Sequence, residues 1–128
     1  MKEIFFLTLA EVVEIHADQI ERYGGDPGIR DSQLLKSAIA QPHASFAGEL
    51  FCHDLYEMAA AYAFHICQNH PFFDGNKRVA LASALVFLWM NGVRVSDPKS
   101  SLIAVMKDVA QGRLGKDRLA AVLRQLSV

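Results

Sequence analysis

Residues 54–91 read DLYEMAAAYAFHICQNHPFFDGNKRVALASALVFLWMN, and two helical patterns meet there across a turn. From Asp54 to Asn69, Leu55, Met58, Ala59, Tyr62, Ala63 and Ile66 recur at i, i+3, i+4 and i+7, the period of a core-facing helix. From Asn76 to Asn91 the chain is apolar nearly all round, with Val79, Ala80, Leu81, Ala82, Ala84, Leu85, Val86, Phe87 and Leu88. A helix without a polar face must be covered on every side, so this one is predicted to be central and buried. The pair predicts an all-α fold, a bundle of about six helices around that central helix.

The flanking sequence agrees. Thr8-Leu9-Ala10-Glu11 has the form of a capping box, and Val12, Val13, Ile15 and Ile20 make the apolar stripe of a first helix that Gly24-Gly25 stops. Asp26-Pro27-Gly28 is turn chemistry. Asp31 or Ser32 caps a second helix carrying Leu34, Leu35, Ala38 and Ile39, which Pro42 ends. No clear period runs from His43 to Cys52. After Gly92, Val93-Arg94-Val95 reads as a short extended piece, Asp97-Pro98 as an N-cap and N1 pair, and Leu102–Ala110 and Asp117–Leu126 as the last two helices. No repeat or linker divides the chain, so residues 1–128 are expected to form a single domain.

Composition bounds the function. The chain has 128 residues, 52% of them hydrophobic and 21% charged, with a formal charge of −1, which is a globular rather than a disordered balance. Basic residues are scattered, without the Lys/Arg stripe and interleaved aromatics of a nucleic-acid surface, so no direct nucleic-acid partner is expected. Cys52 and Cys67 sit in apolar stretches without metal-ligand spacing and read as buried thiols. The N-terminal apolar run, Ile4 to Leu7, is too short for a signal peptide, and no segment reaches the roughly 20 apolar residues of a membrane span. No membrane partner and a cytoplasmic location are expected.

The turn between the two helices concentrates the chemistry. His70 is a base near neutral pH, Asp74 a hard-oxygen ligand for Mg²⁺, and Gly75 a position where the backbone turns freely. Asn76, Lys77 and Arg78 open the central helix, whose unpaired N–H groups and dipole make its entrance a phosphate site. Phe72 reads as a core plug, and Asn76 doubles as a cap of the helix. Arg78 lies on an otherwise apolar helix and is expected to need an anionic partner. His16 and His65 read as structural, His43 and His53 as surface residues.

His-x-Phe-x-Asp-Gly-Asn-Lys-Arg, as it stands at residues 70–78, resembles the signature of the Fic/Doc superfamily and of its death-on-curing (Doc) branch in particular. AMP-transferring Fic proteins carry a second Gly where this chain has Lys77, and a further Arg where it has Leu81; both departures are those of Doc. The likeness extends through Arg22-Tyr23-Gly24-Gly25 before the turn and through Leu85 to Gly92, most of the chain.

The resemblance implies a toxin of a toxin–antitoxin pair that moves the γ-phosphate of ATP to a protein hydroxyl, with elongation factor Tu as target and translation arrest as the result. It implies His70 as catalytic base, Gly75, Asn76, Lys77 and Arg78 on the nucleotide phosphates, Asp74 on Mg²⁺, and a flap in the 43–52 region that positions the target. A Phd-like antitoxin is the implied partner, and Phe5, Phe6, Phe46 and Phe51 are candidates for its groove as well as for ordinary core. Protein AMP transfer and an inactive, partner-binding Fic fold are the two alternatives. Ser45 to Glu49 matches part of the superfamily's inhibitory motif, but Leu50 stands where Gly or Asn follows, so inhibition is expected from another chain.

Overall fold

Asp54 starts the helix that anchors the bundle. Its side chain accepts the Glu57 N–H at 2.8 Å, and the helix then runs Leu55–Asn69. In the computed structural model, which describes residues 3–128, five further helices surround or extend it. In chain order the helices are α1 (Leu9–Tyr23), α2 (Ser32–Ala40), α3 (Leu55–Asn69), α4 (Asn76–Met90), α5 (Ser101–Ala110) and α6 (Lys116–Leu126). A 3₁₀ turn, Gln41–His43, follows α2, and strands β1 (Ser45–Phe46) and β2 (Glu49–Leu50) pair antiparallel after it. The all-α bundle of six helices expected from the periodicity is present.

The centre is shared by α3 and α4. Helix α3 buries Met58, Ala59, Ala60, Ala61, Tyr62, Ala63, Ile66 and Cys67. Alanines on adjoining faces let α2, α4, α5 and α6 approach it closely, since interaxial distance follows side-chain size. Helix α4 carries no charge after Arg78 and buries Val79, Ala80, Ser83, Ala84, Phe87 and Leu88 between α1, α3 and α5. Its far face is not covered throughout: Trp89 is 63% exposed. Tyr62 joins the N-terminal segment to this core. Its ring lies 5.2 Å from that of Phe87, and its hydroxyl accepts from the Leu7 N–H at 2.8 Å and donates to the Leu7 carbonyl at 3.5 Å. Burial pushes the phenol up to about 12.

Capping explains most boundaries. Thr8 and Glu11 form the expected box, each side chain accepting the other's backbone N–H at 3.2 and 2.9 Å. Asp31, rather than Ser32, caps α2 through the Leu34 N–H. Pro42 falls in the 3₁₀ turn after α2. One assignment is corrected: Pro98 is not the first residue of α5, because the N-cap position is Ser100 in the left-handed region. Asp97 still caps from outside, accepting the N–H groups of Ser101 and Leu102 at 2.9 Å each. The short extended piece pairs with the C-terminus, as Ser96 donates to Leu126 and Val128 to Arg94.

The aperiodic stretch before α3 is the hairpin of β1 and β2, turned by Ala47 and Gly48, both at positive φ, the pairing that suits a two-residue loop. Phe46, Leu50 and Phe51 on it are exposed. The four candidate groove phenylalanines are not gathered in one place. Phe6 packs on Phe87 and His43, while Phe5 and Phe51 line different cavities. Cys52 and Cys67 are buried free thiols. Among the described residues no helix is long and apolar enough to cross a membrane.

Candidate active site

Helix α3 ends at His70, whose φ of 50° and ψ of 54° put a β-unbranched but bulky residue in the left-handed region. That conformation costs about 1–2 kcal/mol for a non-glycine residue and turns the chain sharply out of the helix. It is held from both sides. Arg30 donates from Nε to the His70 carbonyl at 2.7 Å and from Nη2 to the Asn69 carbonyl at 3.1 Å. The N–H groups of Arg30 and Asp31 both reach the Pro71 carbonyl, at 2.7 and 3.0 Å, and Asn69 Nδ2 donates to Leu34. The segment before α2 therefore braces the end of α3.

The loop that follows is built around two buried rings. Phe72 is fully buried, as expected of a plug, and lies flat on His16 with ring centres 3.7 Å apart and planes 9° apart. The Asp74 carbonyl can only accept, so His16 donates to it from Nε2 at 2.8 Å. His16 is structural, as expected, and its structure is that of the motif loop. Gly75, at φ 77°, is the N-cap of α4.

Two expectations about the opening of α4 need correction. Asn76 does not cap the helix; it is the first helical residue and the hub of the loop. Its Oδ1 accepts the Phe72 N–H at 3.0 Å, and its Nδ2 donates to the Phe72 carbonyl at 2.9 Å and to His70 Nδ1 at 3.1 Å. Arg78 meets backbone carbonyls where an anionic partner was expected. Its Nη1 and Nη2 donate to the carbonyls of Gln19 and Gly24 at 3.3 and 3.0 Å, beneath Tyr23. Carbonyls at the C-terminal end of a helix carry the negative pole of its dipole, which is why α1 can hold a cation there.

His70, Asp74, Gly75, Asn76, Lys77 and Arg78 all line one cavity of about 490 Å³, within the size range of small-molecule sites. Cys67 and Gln68 of α3 and Ala110 of α5 form part of its wall. His70, Asp74 and Lys77 are exposed on its rim. Two cations and the N-terminal end of α4 thus face one carboxylate, a balance that favours an anion. Burial pushes the Cys67 thiol up, against a smaller opposite pull from Lys77, so it stands in the wall as a thiol rather than a thiolate.

A second loop presses on this one. Asp74 Oδ2 accepts the Asp26 N–H at 2.7 Å, and the Phe73 N–H reaches the Gly28 carbonyl at 3.2 Å. A Cβ on Gly28 would come 2.8 Å from the Phe73 ring, and one on Gly25 would come 3.1 Å from Asp74 Cβ. Asp26, Arg30 and the two glycines were not singled out by sequence as site residues, although the Gly24-Gly25 and Pro27-Gly28 dipeptides were visible as stops and turns. Among the described residues no donor takes the second carboxylate oxygen of Asp74. One carboxylate suits Mg²⁺, which binds through one or two carboxylates together with substrate phosphates and water.

Residues 6–88 match the model of the Fic/DOC family. The chain belongs to that family. It is also 38% identical over 116 residues to protein kinase doc of Escherichia phage P1, across 91% of this chain and 90% of that one. A second relative, toxin Doc of Mycolicibacterium smegmatis, is 40% identical over 74 residues, 58% of this chain and 57% of that protein. The Fic/DOC match takes in α1 to α4 apart from Trp89 and Met90, and with them both loops of the site.

Proposed function

We propose that the chain is a Doc-type toxin, a protein kinase that transfers the γ-phosphate of ATP to a hydroxyl side chain of a protein, with elongation factor Tu the target its resemblance implies and a Phd-like antitoxin its restraint. The observation that carries the reading is the entrance of α4. The first backbone N–H of α4 to find a helical acceptor is that of Val79, which reaches Gly75 at 2.9 Å. The N–H groups of Asn76, Lys77 and Arg78 precede it, on residues that line the same cavity as His70 and Asp74. Donors of this kind, fixed before the reaction, are what a transferring phosphoryl group requires.

The roles follow from the arrangement. His70 takes the proton of the acceptor hydroxyl as the new oxygen–phosphorus bond forms and the bond between the β-bridging oxygen and the γ-phosphorus breaks, leaving ADP. Lys77, on the rim, offers a point charge to the phosphates. Gly75 and the N–H groups of α4 let the phosphate chain lie against backbone. Arg78, clamped by α1, contributes its charge from a fixed place. Asp74 is the residue that would hold Mg²⁺, which would neutralise phosphate charge there. Protein AMP transfer shares the cradle and the base, and Lys77 is the residue that separates the two readings. A long cation at this position obstructs the pose that presents the α-phosphate.

His70→Ala tests the reading against that of a partner-binding module. Loss of a general base removes roughly 10²–10⁴-fold of rate. The folded variant is expected to be harmless on expression and inactive in phosphate transfer from ATP in a lysate. Growth arrest or transfer at the unmutated level by a folded His70→Ala protein rules out the catalytic role.

A further inference from the structure

The hydrogen bonds around Asn76 leave no freedom in how its amide is oriented. The Phe72 N–H can only donate, so the atom it meets is Oδ1; the Phe72 carbonyl can only accept, so the atom it meets is Nδ2. The two hydrogens of Nδ2 then have one acceptor each, the Phe72 carbonyl at 2.9 Å and His70 Nδ1 at 3.1 Å. An imidazole nitrogen that accepts a hydrogen bond carries no proton. A neutral His70 therefore has its hydrogen on Nε2 and its one lone pair engaged. In this arrangement the ring has nothing with which to take a proton from a hydroxyl.

We infer that Asn76 holds His70 in a non-basic tautomer and that a nucleotide phosphate releases it by taking the Asn76 Nδ2 hydrogen. The inference rests on the reading of His70 as the base and of the α4 entrance as the phosphate site. Asn76 is the first residue of α4 and lines the same cavity as Gly75, Lys77 and Arg78. An oxygen of a phosphate seated there accepts and does not donate. It replaces His70 Nδ1 as the acceptor of Asn76 and favours a hydrogen on the neighbouring Nδ1. The proton leaves Nε2 for water and another arrives at Nδ1, so the ring stays neutral and no net proton is exchanged. The Nε2 lone pair then faces the acceptor hydroxyl. Asn76 is in this sense a positioning residue: the base is switched on by occupancy of the phosphate site, and a hydroxyl that arrives before the nucleotide meets a donor.

The braces described above keep the switch short. Arg30 and the Pro71 carbonyl hold the main chain of His70, so the change is confined to one side-chain hydrogen bond and needs no movement of α3 or α4.

The test is the tautomer of His70, read from the side-chain nitrogen shifts of protein labelled with ¹⁵N-histidine, about two pH units above the ordinary imidazole pKa of ~6.5. His70→Gln identifies the signals. The ligand-free protein is expected to show hydrogen on Nε2, and saturation with inorganic tripolyphosphate or with Mg²⁺ and ADP is expected to move it to Nδ1. Asn76→Asp places an oxygen that cannot donate against the ring, so its ligand-free form is expected to show hydrogen on Nδ1 from the start. Hydrogen on Nδ1 in the ligand-free wild type overturns the inference. So does an unchanged tautomer at saturation, or failure of tripolyphosphate to bind at all. No acceptor protein enters this measurement. A tautomer change without any transfer activity would therefore sink the kinase reading alone, and transfer by a protein whose tautomer never changes would sink the switch alone.

Discussion

Arg30→Met is the substitution that best separates support of the site from support of the fold. The methionine keeps much of the stem length and apolar contact and removes the two guanidinium bonds, to the His70 carbonyl at 2.7 Å and the Asn69 carbonyl at 3.1 Å. Hydrogen bonds to a charged group contribute about 1.5–3 kcal/mol in protected settings. Arg30 is exposed, so water takes over part of the role of each bond. Relaxation of His70 out of the left-handed region recovers part of its ~1–2 kcal/mol strain. The net loss of stability is expected to be about 1 kcal/mol. The effect on transfer is larger, because a displacement of about 1 Å at a reacting group costs on the order of 10²-fold in rate. Urea unfolding followed by circular dichroism gives the first quantity, and initial rates of label transfer from ATP give the second. The fall is expected in kcat, with the KM for ATP near that of the wild type, since the phosphate donors of α4 are untouched. A folded Arg30→Met protein that transfers at the wild-type rate refutes the argument, and so does a rate loss that disappears once corrected for the fraction unfolded.

Two further outcomes follow from other contacts. Gly25 has φ of 121°, and a Cβ there would lie 3.0 Å from Ile20 Cδ1 and 3.1 Å from Asp74 Cβ, whereas one on Gly24, at φ 85°, meets nothing within 4 Å. Gly25→Ala is expected to cost about 1–3 kcal/mol in denaturant unfolding and to weaken Mg²⁺-dependent nucleotide binding, with Gly24→Ala milder on both counts; equal effects would contradict the crowding. The second concerns His65, whose pKa is pushed down to about 4 by burial first and by Lys116, 3.1 Å away, second. A group that binds its proton less readily folded than unfolded stabilises the fold fully above its unfolded pKa, and this contribution is lost as pH falls from about 6.5 toward 4. Melting temperature should therefore fall through that window, and less steeply in His65→Gln; identical slopes would contradict the assignment.

The bundle was legible because its signals are local. The capping box at Thr8, the period of Leu55 to Ile66 and the apolar girth of α4 each lie within one element. The left-handed turn at His70 and the hub role of Asn76 were not legible, although the residues stood in plain view. A motif states which side chains are near in sequence, and the orientation of an amide or a guanidinium depends on partners elsewhere. Arg78 is the clearest case: its acceptors are carbonyls at the end of α1, 59 and 54 residues away. Sequence predicts that a cation on an apolar helix is compensated, and an exposed helix end compensates it as well as a carboxylate does. The same distance hides Arg30, 40 residues before the carbonyl it holds, and His16, 58 residues before Asp74. The turn after α1 read as a connection, and only the fold makes it the second half of the site.

Transfer of the γ-phosphate to protein is the task proposed for the α4 entrance. Purified protein incubated with a cell lysate and ATP labelled separately at the α- and γ-phosphates tests it most directly. Label from the γ-position entering protein, none from the α-position, and neither with His70→Ala is the expected result. Label from the α-position on protein with the unmutated chain would contradict the account and identify the reaction as AMP transfer.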